Sequence, residues 1–409
     1  MGANFTNCFQ CNIYKYNEGF IKRSRVKEQI EGRKAGAYIF ALIVLAILVF
    51  SFFEIAPIYY KNSNQLGINI KSLHPVGFLK VEVKNTQESP TSNPFNMMVK
   101  VNSSLLSEYE APNLGNVFWF TGNNETIPSW IESGDSSSST STTYWLKIPQ
   151  NLPAEGKMNV YMGFANKSQN LFGKNGFEGV FPNATANYGQ FDNGAQIFPV
   201  YWDFQGTDSP VGLETFTSGN SVVSVDNGIR IYAPVNYYHA GFITERTYPS
   251  NYVWMVNVSS WQIISGGPGL YPVSISDSSI FSPQNNGQGF AGGFPDSVFA
   301  YTNTAFYYQS GLNHGNIGNW NQSLPFASTF AFSWYKQKVS GYNENMSSIG
   351  DFNYSNISES SQTYFSSYIE TGGLGSGVFS IDWVAGIYGF PQGIMPEYSV
   401  SYQFHKING

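Results

Sequence analysis

One stretch divides this chain more sharply than any other. Residues 35–53 read AGAYIFALIVLAILVFSFF, with no charge between Lys34 and Glu54. At a rise of ~1.5 Å per residue, a helix over this run spans roughly the hydrocarbon core of a bilayer. The run is apolar all round, which favours a membrane-spanning helix over a buried core helix. A cleaved signal peptide fits poorly: the preceding region is long, no A-x-A site follows, and Pro57 sits just after Ala56. Lys22, Arg23, Arg25, Lys27, Arg33 and Lys34 precede the run, and only Lys61 and Lys71 follow it closely. The positive-inside rule then puts the N-terminus in the cytoplasm and residues beyond about 57 outside, with Tyr59 and Tyr60 at the outer aromatic belt. The expected organisation is a cytoplasmic basic segment (1–34), a transmembrane helix (35–56), a juxtamembrane stalk (57–75) and an extracellular part anchored in the cell membrane by a single pass.

Charge separates the same parts. Residues 1–34 carry seven Lys/Arg against three Glu, a net +4, so the remainder holds −10 of a chain whose total is −6. An acidic ectodomain without a basic stripe cannot displace counterions from phosphates, which excludes a nucleic-acid partner. The two cysteines, Cys8 and Cys11, both precede the apolar run, so the ectodomain has no disulfide, which points to a prokaryotic, archaeal or bacterial, surface protein. A lone C-x-x-C is half a zinc site or a redox pair at most, and Met1-Gly2 with Thr6 fits a myristoylation pattern; both are read as incidental. On the outer side Asn102, Asn124, Asn166, Asn183, Asn257, Asn321, Asn345, Asn353 and Asn356 each open an N-x-[ST] sequon, as a glycosylated surface would.

From Phe78 the pattern changes. FLKVEVKN, NPFNMMVKVN, NVFWF, TIPSWIES, TTYWLKIP and KMNVYMGF follow one another, several of them alternating, separated by turn-rich GNNE, GDSSSSTST and QNLPAEG. Segments of this length and spacing without helical periodicity read as an all-β sandwich. With 17% aromatic and 12% charged residues, the chain has ample apolar area for a core.

These residues carry a resemblance. Trp130 with Glu132, Trp145 with Pro149, and Gly156 through Tyr161 to Asn166 stand where the domain-of-unknown-function 2341 family has its successive "pyWiE", "vWVkvP" and "yYGN" strands, with GFAN here in place of YGN. The resemblance covers about 76–168. Further on, YGQFDNGAQIFPVYWDF, SVVSVDNGIRIYA, YVWMVNVSSW, TAFYYQSGLN, TFAFSWYKQ and SIDWVAGIY resemble, in order, a concanavalin-like (LamG-like) jelly roll over about 189–405, with Tyr388 where a basic residue is common. The expectation is two jelly-roll-like sandwiches, 76–188 and 189–409, with 170–194 as a Gly- and Asn-rich strap that packs through Leu171, Phe172, Phe177, Val180 and Phe181. SIDWV is expected to pair near YWDF, since jelly rolls bring their ends together.

Chemistry is sparse. A jelly-roll glycosidase needs a carboxylate pair across a cleft, and the Glu-x-Asp-x-Glu string that would put carboxylates on one strand face does not occur. The histidines His74, His239, His314 and His405 have no metal spacing. FDNG (191–194) and VDNG (225–228) could supply calcium oxygens but read more simply as turns, so no cofactor is expected. Asp382, in SIDWV, either lines a ligand site or bonds a neighbouring loop; Trp320, in a Gly/Asn-rich loop, is the aromatic best placed to stack on a sugar. The expected function is a non-enzymatic, glycosylated surface protein that binds a glycan, an envelope component or another cell. The alternative is a subunit of a pilus-like filament or surface layer, for which RKAGAYIFALIVLAI resembles an archaeal pilin start, and third comes a carbohydrate-active enzyme.

Overall fold

The computed structural model describes residues 70–407 apart from 174–176, 237, 267, 277–287, 295–303, 311–312, 321–327, 336–337, 354–361 and 372–374. The expected cytoplasmic segment, transmembrane helix and most of the stalk lie outside these residues. Among the described residues no helix is long and apolar enough to cross a membrane. Nearly everything described is strand and turn, as the alternation implies.

The described residues form four sheets. A five-stranded sheet runs in the order Glu397–Lys406, Gly77–Lys84, Lys157–Phe164, Val117–Thr121, Thr126–Ile127. A four-stranded sheet runs Phe95–Val101, Thr142–Ile148, Ser129–Ser133, Glu178–Val180, the last pair parallel. Alternation decides the faces. In FLKVEVK, Leu79, Val81 and Val83 are fully buried while Lys80 and Glu82 between them are partly exposed. Trp119 meets Tyr144 edge-on across this first sandwich, ring centroids 5.4 Å apart.

The second sandwich has two eight-stranded sheets. The inner one runs Val222–Val225, Ile229–Ala233, Ser376–Ile387, Val253–Ser265, Ser328–Tyr335, Lys338–Tyr342, Ser348–Asn353. The strand Val200–Trp202 pairs with Ser376–Ile387, so SIDWV does lie beside YWDF, with Val384 opposite Trp202. The outer one runs Leu213–Thr217, His239–Thr244, Gln362–Glu370, Gly269–Ser276, Gln288–Phe294, Thr304–Ser310, Asn313–Trp320, and Tyr248–Pro249 joins it at Gln362–Glu370. Phe242, Leu270, Ile275, Phe365 and Ile369 of the outer sheet pack on Trp254, Val256, Phe332, Trp334 and Ile381 of the inner.

Two features go beyond the expected order. The last strand does not stay with residues 189–396: Glu397–Lys406 returns to pair with Gly77–Lys84, from Gly77 opposite Lys406 to Lys84 opposite Glu397. The second sandwich is therefore an insertion within the first. The sandwiches also share a core. The strand Val253–Ser265 sends Trp254 and Val256 into its own sandwich and Val253 and Met255 into the cluster that contains Met98, Trp130 and Trp145 of the four-stranded sheet. Both faces of the four-stranded sheet and of the middle of the inner sheet are thus buried, in four layers. The strap packs down as expected, with Leu171, Phe172, Phe177 and Val180 buried and Phe181 partly so.

Candidate functional site

Two places bring polar chemistry and aromatic surface together: the outward face of the outer sheet, and the junction between the sandwiches.

On the outward face, Phe216, Gly241, Tyr368 and Tyr271 stand opposite one another across four adjacent strands. Tyr271 and Tyr368 stack, centroids 4.8 Å apart and planes 28° from parallel, and Phe216 packs against them. Glycine makes room at two points. A Cβ on Gly241 would lie 2.3 Å from the Ser367 carbonyl oxygen and 2.5 Å from the Tyr368 Cβ, and one on Gly269 would lie 2.6 Å from the Tyr271 ring. The next row holds Ile243, Ser366 and Ser274, again directly opposite one another. The Oγ atoms of Ser366 and Ser274 are buried without a hydrogen-bond partner. His239 stands opposite Glu370 at the end of the same strands, with the Phe216 ring 5.9 Å from the His239 ring. Tyr271 and Tyr368 are themselves buried, and Phe216 is the half-exposed ring through which the cluster meets its surroundings.

The junction holds carboxyl groups. Glu132, near the end of the interior strand Ser129–Ser133, accepts from Trp145 Nε1 (2.7 Å) and from the Thr329 hydroxyl of the inner sheet (2.6 Å). Asp192, in the strap, accepts from Trp130 Nε1 (2.8 Å), the Tyr201 hydroxyl (2.6 Å) and the Gly194 N–H (2.9 Å). FDNG is therefore more than a turn, whereas VDNG is the turn between Val222–Val225 and Ile229–Ala233, with Asn227 at φ 48° and Gly228 at φ 128°. Burial pushes the Asp192 carboxyl up to about 6, against the pull of its three donors. Burial likewise raises Glu132, and burial alone pushes Glu178 up to about 8.

Asp382 is the extra residue of a β-bulge: Asn257 pairs with Trp383 and Val258 with Ile381, skipping it. Its carboxylate accepts from Asn183 Nδ2, and its carbonyl from the Tyr188 hydroxyl at 2.8 Å. Burial raises its carboxyl, opposed by bonds from Ser259 and Asn183. Trp320 does not sit in a loop. It ends the strand Asn313–Trp320 opposite Thr304, because the Gly/Asn-rich NHGNIGNW pairs as an outer strand of the sheet in spite of its composition. Sequon positions differ in access. Asn124, Asn166, Asn183 and Asn345 are exposed, Asn102 and Asn257 are half-buried, Asn353 ends the strand Ser348–Asn353, and Asn321 and Asn356 lie outside the described residues.

Sequence reading missed Tyr271, Tyr368, Ser274, Ser366, Glu132 as a bridge, and Asp192. The usable signal was glycine inside strands, at Gly241 and Gly269, which marks a close approach. The sequence marks FDNG as a turn, but nothing in it links Asp192 to Trp130, 62 residues away, or Glu132 to Thr329, 197 residues away.

No protein-family model matches the chain, so none supports the domain-of-unknown-function 2341 resemblance. The chain is 29% identical over 153 residues to "Uncharacterized protein 562" of Sulfolobus islandicus rod-shaped virus 1, a match covering 37% of this chain and 25% of that protein. This chain thus spans about a quarter of the length of that relative. Among solved structures it overlaps Bacillus licheniformis β-glucanase at 14% identity, covering 47% of this chain and 98% of that one, TM-score 0.34. It also overlaps a pseudo β-1,3-glucanase of Mycobacterium tuberculosis at 9% identity, covering 47% and 99%, TM-score 0.35.

Proposed function

We propose that this chain is a membrane-anchored surface protein that binds glycan on the outward face of its outer eight-stranded sheet, without cleaving it. The observation that carries the reading is the half-exposed Phe216 ring, seated on the buried, stacked Tyr271–Tyr368 pair whose sheet face also holds the unpartnered hydroxyls of Ser366 and Ser274. A pyranose presents an apolar C–H face to an aromatic ring and hydroxyls at its rim. A buried hydroxyl left unpaired costs about 1–3 kcal/mol, which a ligand hydroxyl bonding there would offset. Phe216, half-exposed beside the pair, extends the aromatic row. The apolar run at 35–53 and the basic residues before it support the anchor and its orientation.

The test is a glycan array probed with the full chain in detergent. Binding should weaken at least tenfold in Tyr368→Ala and Ser366→Ala, with Trp320→Ala as a third probe of the same sheet. Failure to bind any glycan, or binding that ignores Tyr368→Ala and Ser366→Ala, overturns the reading; release of reducing sugar overturns its non-enzymatic part. The filament alternative rests on RKAGAYIFALIVLAI. The mature N-terminus decides it: a start near Gly36 favours a filament subunit, and an intact start favours an anchor.

A further inference from the structure

One end of the second sandwich carries aromatic rings that neither the outer sheet's face nor the junction uses. The chain crosses there from the outer sheet to the inner one. Tyr248–Pro249 pairs with Gln362–Glu370, a turn closed by the Tyr252 N–H on the Pro249 carbonyl (3.1 Å) follows, and Val253–Ser265 begins. Tyr388 comes directly after Ser376–Ile387 and meets this turn, its ring centroid 5.9 Å from that of Tyr252. Glycine permits the approach, since a Cβ on Gly389 would overlap the Asn251 carbonyl oxygen. Trp202, opposite Val384 on the neighbouring strand, completes the rim. Its ring lies 8° from parallel with that of Trp254, centroids 6.4 Å apart, and Tyr248 stands edge-on to both, at 6.5 and 5.3 Å. Trp254 and Tyr248 are buried, whereas Trp202, Tyr252 and Tyr388 stay partly exposed around them.

Hydrogen bonds hold the rim in shape. Trp202 Nε1 donates to the Val211 carbonyl (3.0 Å). Arg246 Nε donates to the Tyr248 hydroxyl (3.1 Å), and its guanidinium carbon lies 5.0 Å from the centre of that ring. Arg246 is exposed, so a positioned cation stands beside the exposed rings. We propose that this rim binds an acidic saccharide, with the C–H face of a pyranose on the rings of Trp202, Tyr252 and Tyr388 and its carboxylate or sulfate on Arg246. Aromatic rings take the apolar face of a sugar, and a guanidinium presents N–H donors in a planar fork that matches an oxyanion. The site is separate from the one on the outer sheet, because Trp202 pairs with the inner sheet and Tyr388 follows directly on one of its strands. Residues beyond 34 carry a net −10, which repels polyanions in general, so one that binds must find a local cation.

Biolayer interferometry with the full chain in detergent, at fixed ionic strength, tests this against immobilised polygalacturonate, dextran sulfate and dextran. The chain should bind polygalacturonate or dextran sulfate, which separates carboxylate from sulfate recognition, at least about tenfold more tightly than neutral dextran. Arg246→Gln should weaken binding of the polyanion about tenfold, as loss of a charge-assisted hydrogen bond does. Tyr388→Ala, which leaves Arg246 and its bond to Tyr248 in place, should weaken it about threefold to tenfold. No binding of either polyanion overturns the proposal, and so does either variant that keeps the wild-type circular dichroism spectrum and binds as wild type does. Binding that is lost in Tyr368→Ala but kept in Arg246→Gln belongs to the outer sheet and overturns it as well.

Discussion

Gly241 shows how one residue shapes the candidate site. Its neighbours across the strand leave no space for a methyl group, since the blocking atoms are the Ser367 carbonyl and the Tyr368 backbone side, neither of which can swing away. Gly241→Ala should therefore destabilise the folded chain by about 2–3 kcal/mol, as overpacking does, and displace Tyr368 from Tyr271. Denaturant unfolding followed by tryptophan fluorescence would measure the first effect, and a stability change under 0.5 kcal/mol would count against it. Glu178 makes a second case. It is buried, and its Oε1 lacks a partner. Since burial lifts it from 4.5 to about 8, it is neutral in the folded protein near pH 7. Its contribution to stability is full below pH 4.5 and falls as pH rises towards about 8. Glu178→Gln should match wild type at pH 4.5 and melt at a higher temperature at pH 9; a variant less stable than wild type at pH 9 would refute this.

At the scale of elements, the last strand does more than lengthen a sheet. Its Tyr398 and Tyr402 hydroxyls accept from the backbone N–H groups of Lys100 (2.9 Å) and Asn102 (2.8 Å), at the edge of the opposite sheet. The open side of the first sandwich is closed by these two bonds and by Phe404, which stacks on Tyr109 and lies over Gly77. Tyr398→Phe should cost about 1–2 kcal/mol, since it leaves an edge N–H of a half-buried strand without its acceptor. Truncation after Met395 should abolish cooperative folding of the first sandwich, although the segment removed lies more than 200 residues from the rest of that sandwich in sequence. Circular dichroism melts of the full and truncated chains would show it, and an unchanged melt would refute the closing role.

At the scale of the whole molecule, the shared core predicts how the two sandwiches unfold. Trp383 belongs to the strand Ser376–Ile387 of the inner sheet yet packs with Trp130 of the first sandwich. Two sandwiches joined by a flexible linker would melt separately, whereas two that share buried Val253, Met255, Ala331, Trp383 and Ile387 with the four-stranded sheet should melt together. Calorimetry should show one transition for residues 67–409. Trp383→Ala should cost about 3–5 kcal/mol, the usual loss for emptying a buried aromatic, and split that transition in two. Two transitions in the wild type would refute the fusion.

Local pattern made the class of fold legible. Alternation in FLKVEVK set which side chains go inward, because a strand sends successive residues to opposite faces whatever lies beyond them. The strap's apolar residues announced that it packs, and SIDWV announced a closing strand. The same pattern could not say which sheet the final strand joins, since Glu397–Lys406 alternates equally well against any neighbour. It could not show that Val253 and Met255 face a second core, because a strand buried on both faces loses alternation and reads as a plain apolar run. The bulge at Asp382 hid the switch by which Phe379 and Ile381 enter one core while Trp383 and Ala385 enter the other. The bonds of Glu132 to Thr329 and of Asp192 to Trp130 exist only where distant segments meet, 197 and 62 residues apart. Which hydrogen-bond donor reaches a half-buried carboxyl depends on packing between layers, and only the tertiary structure decided it.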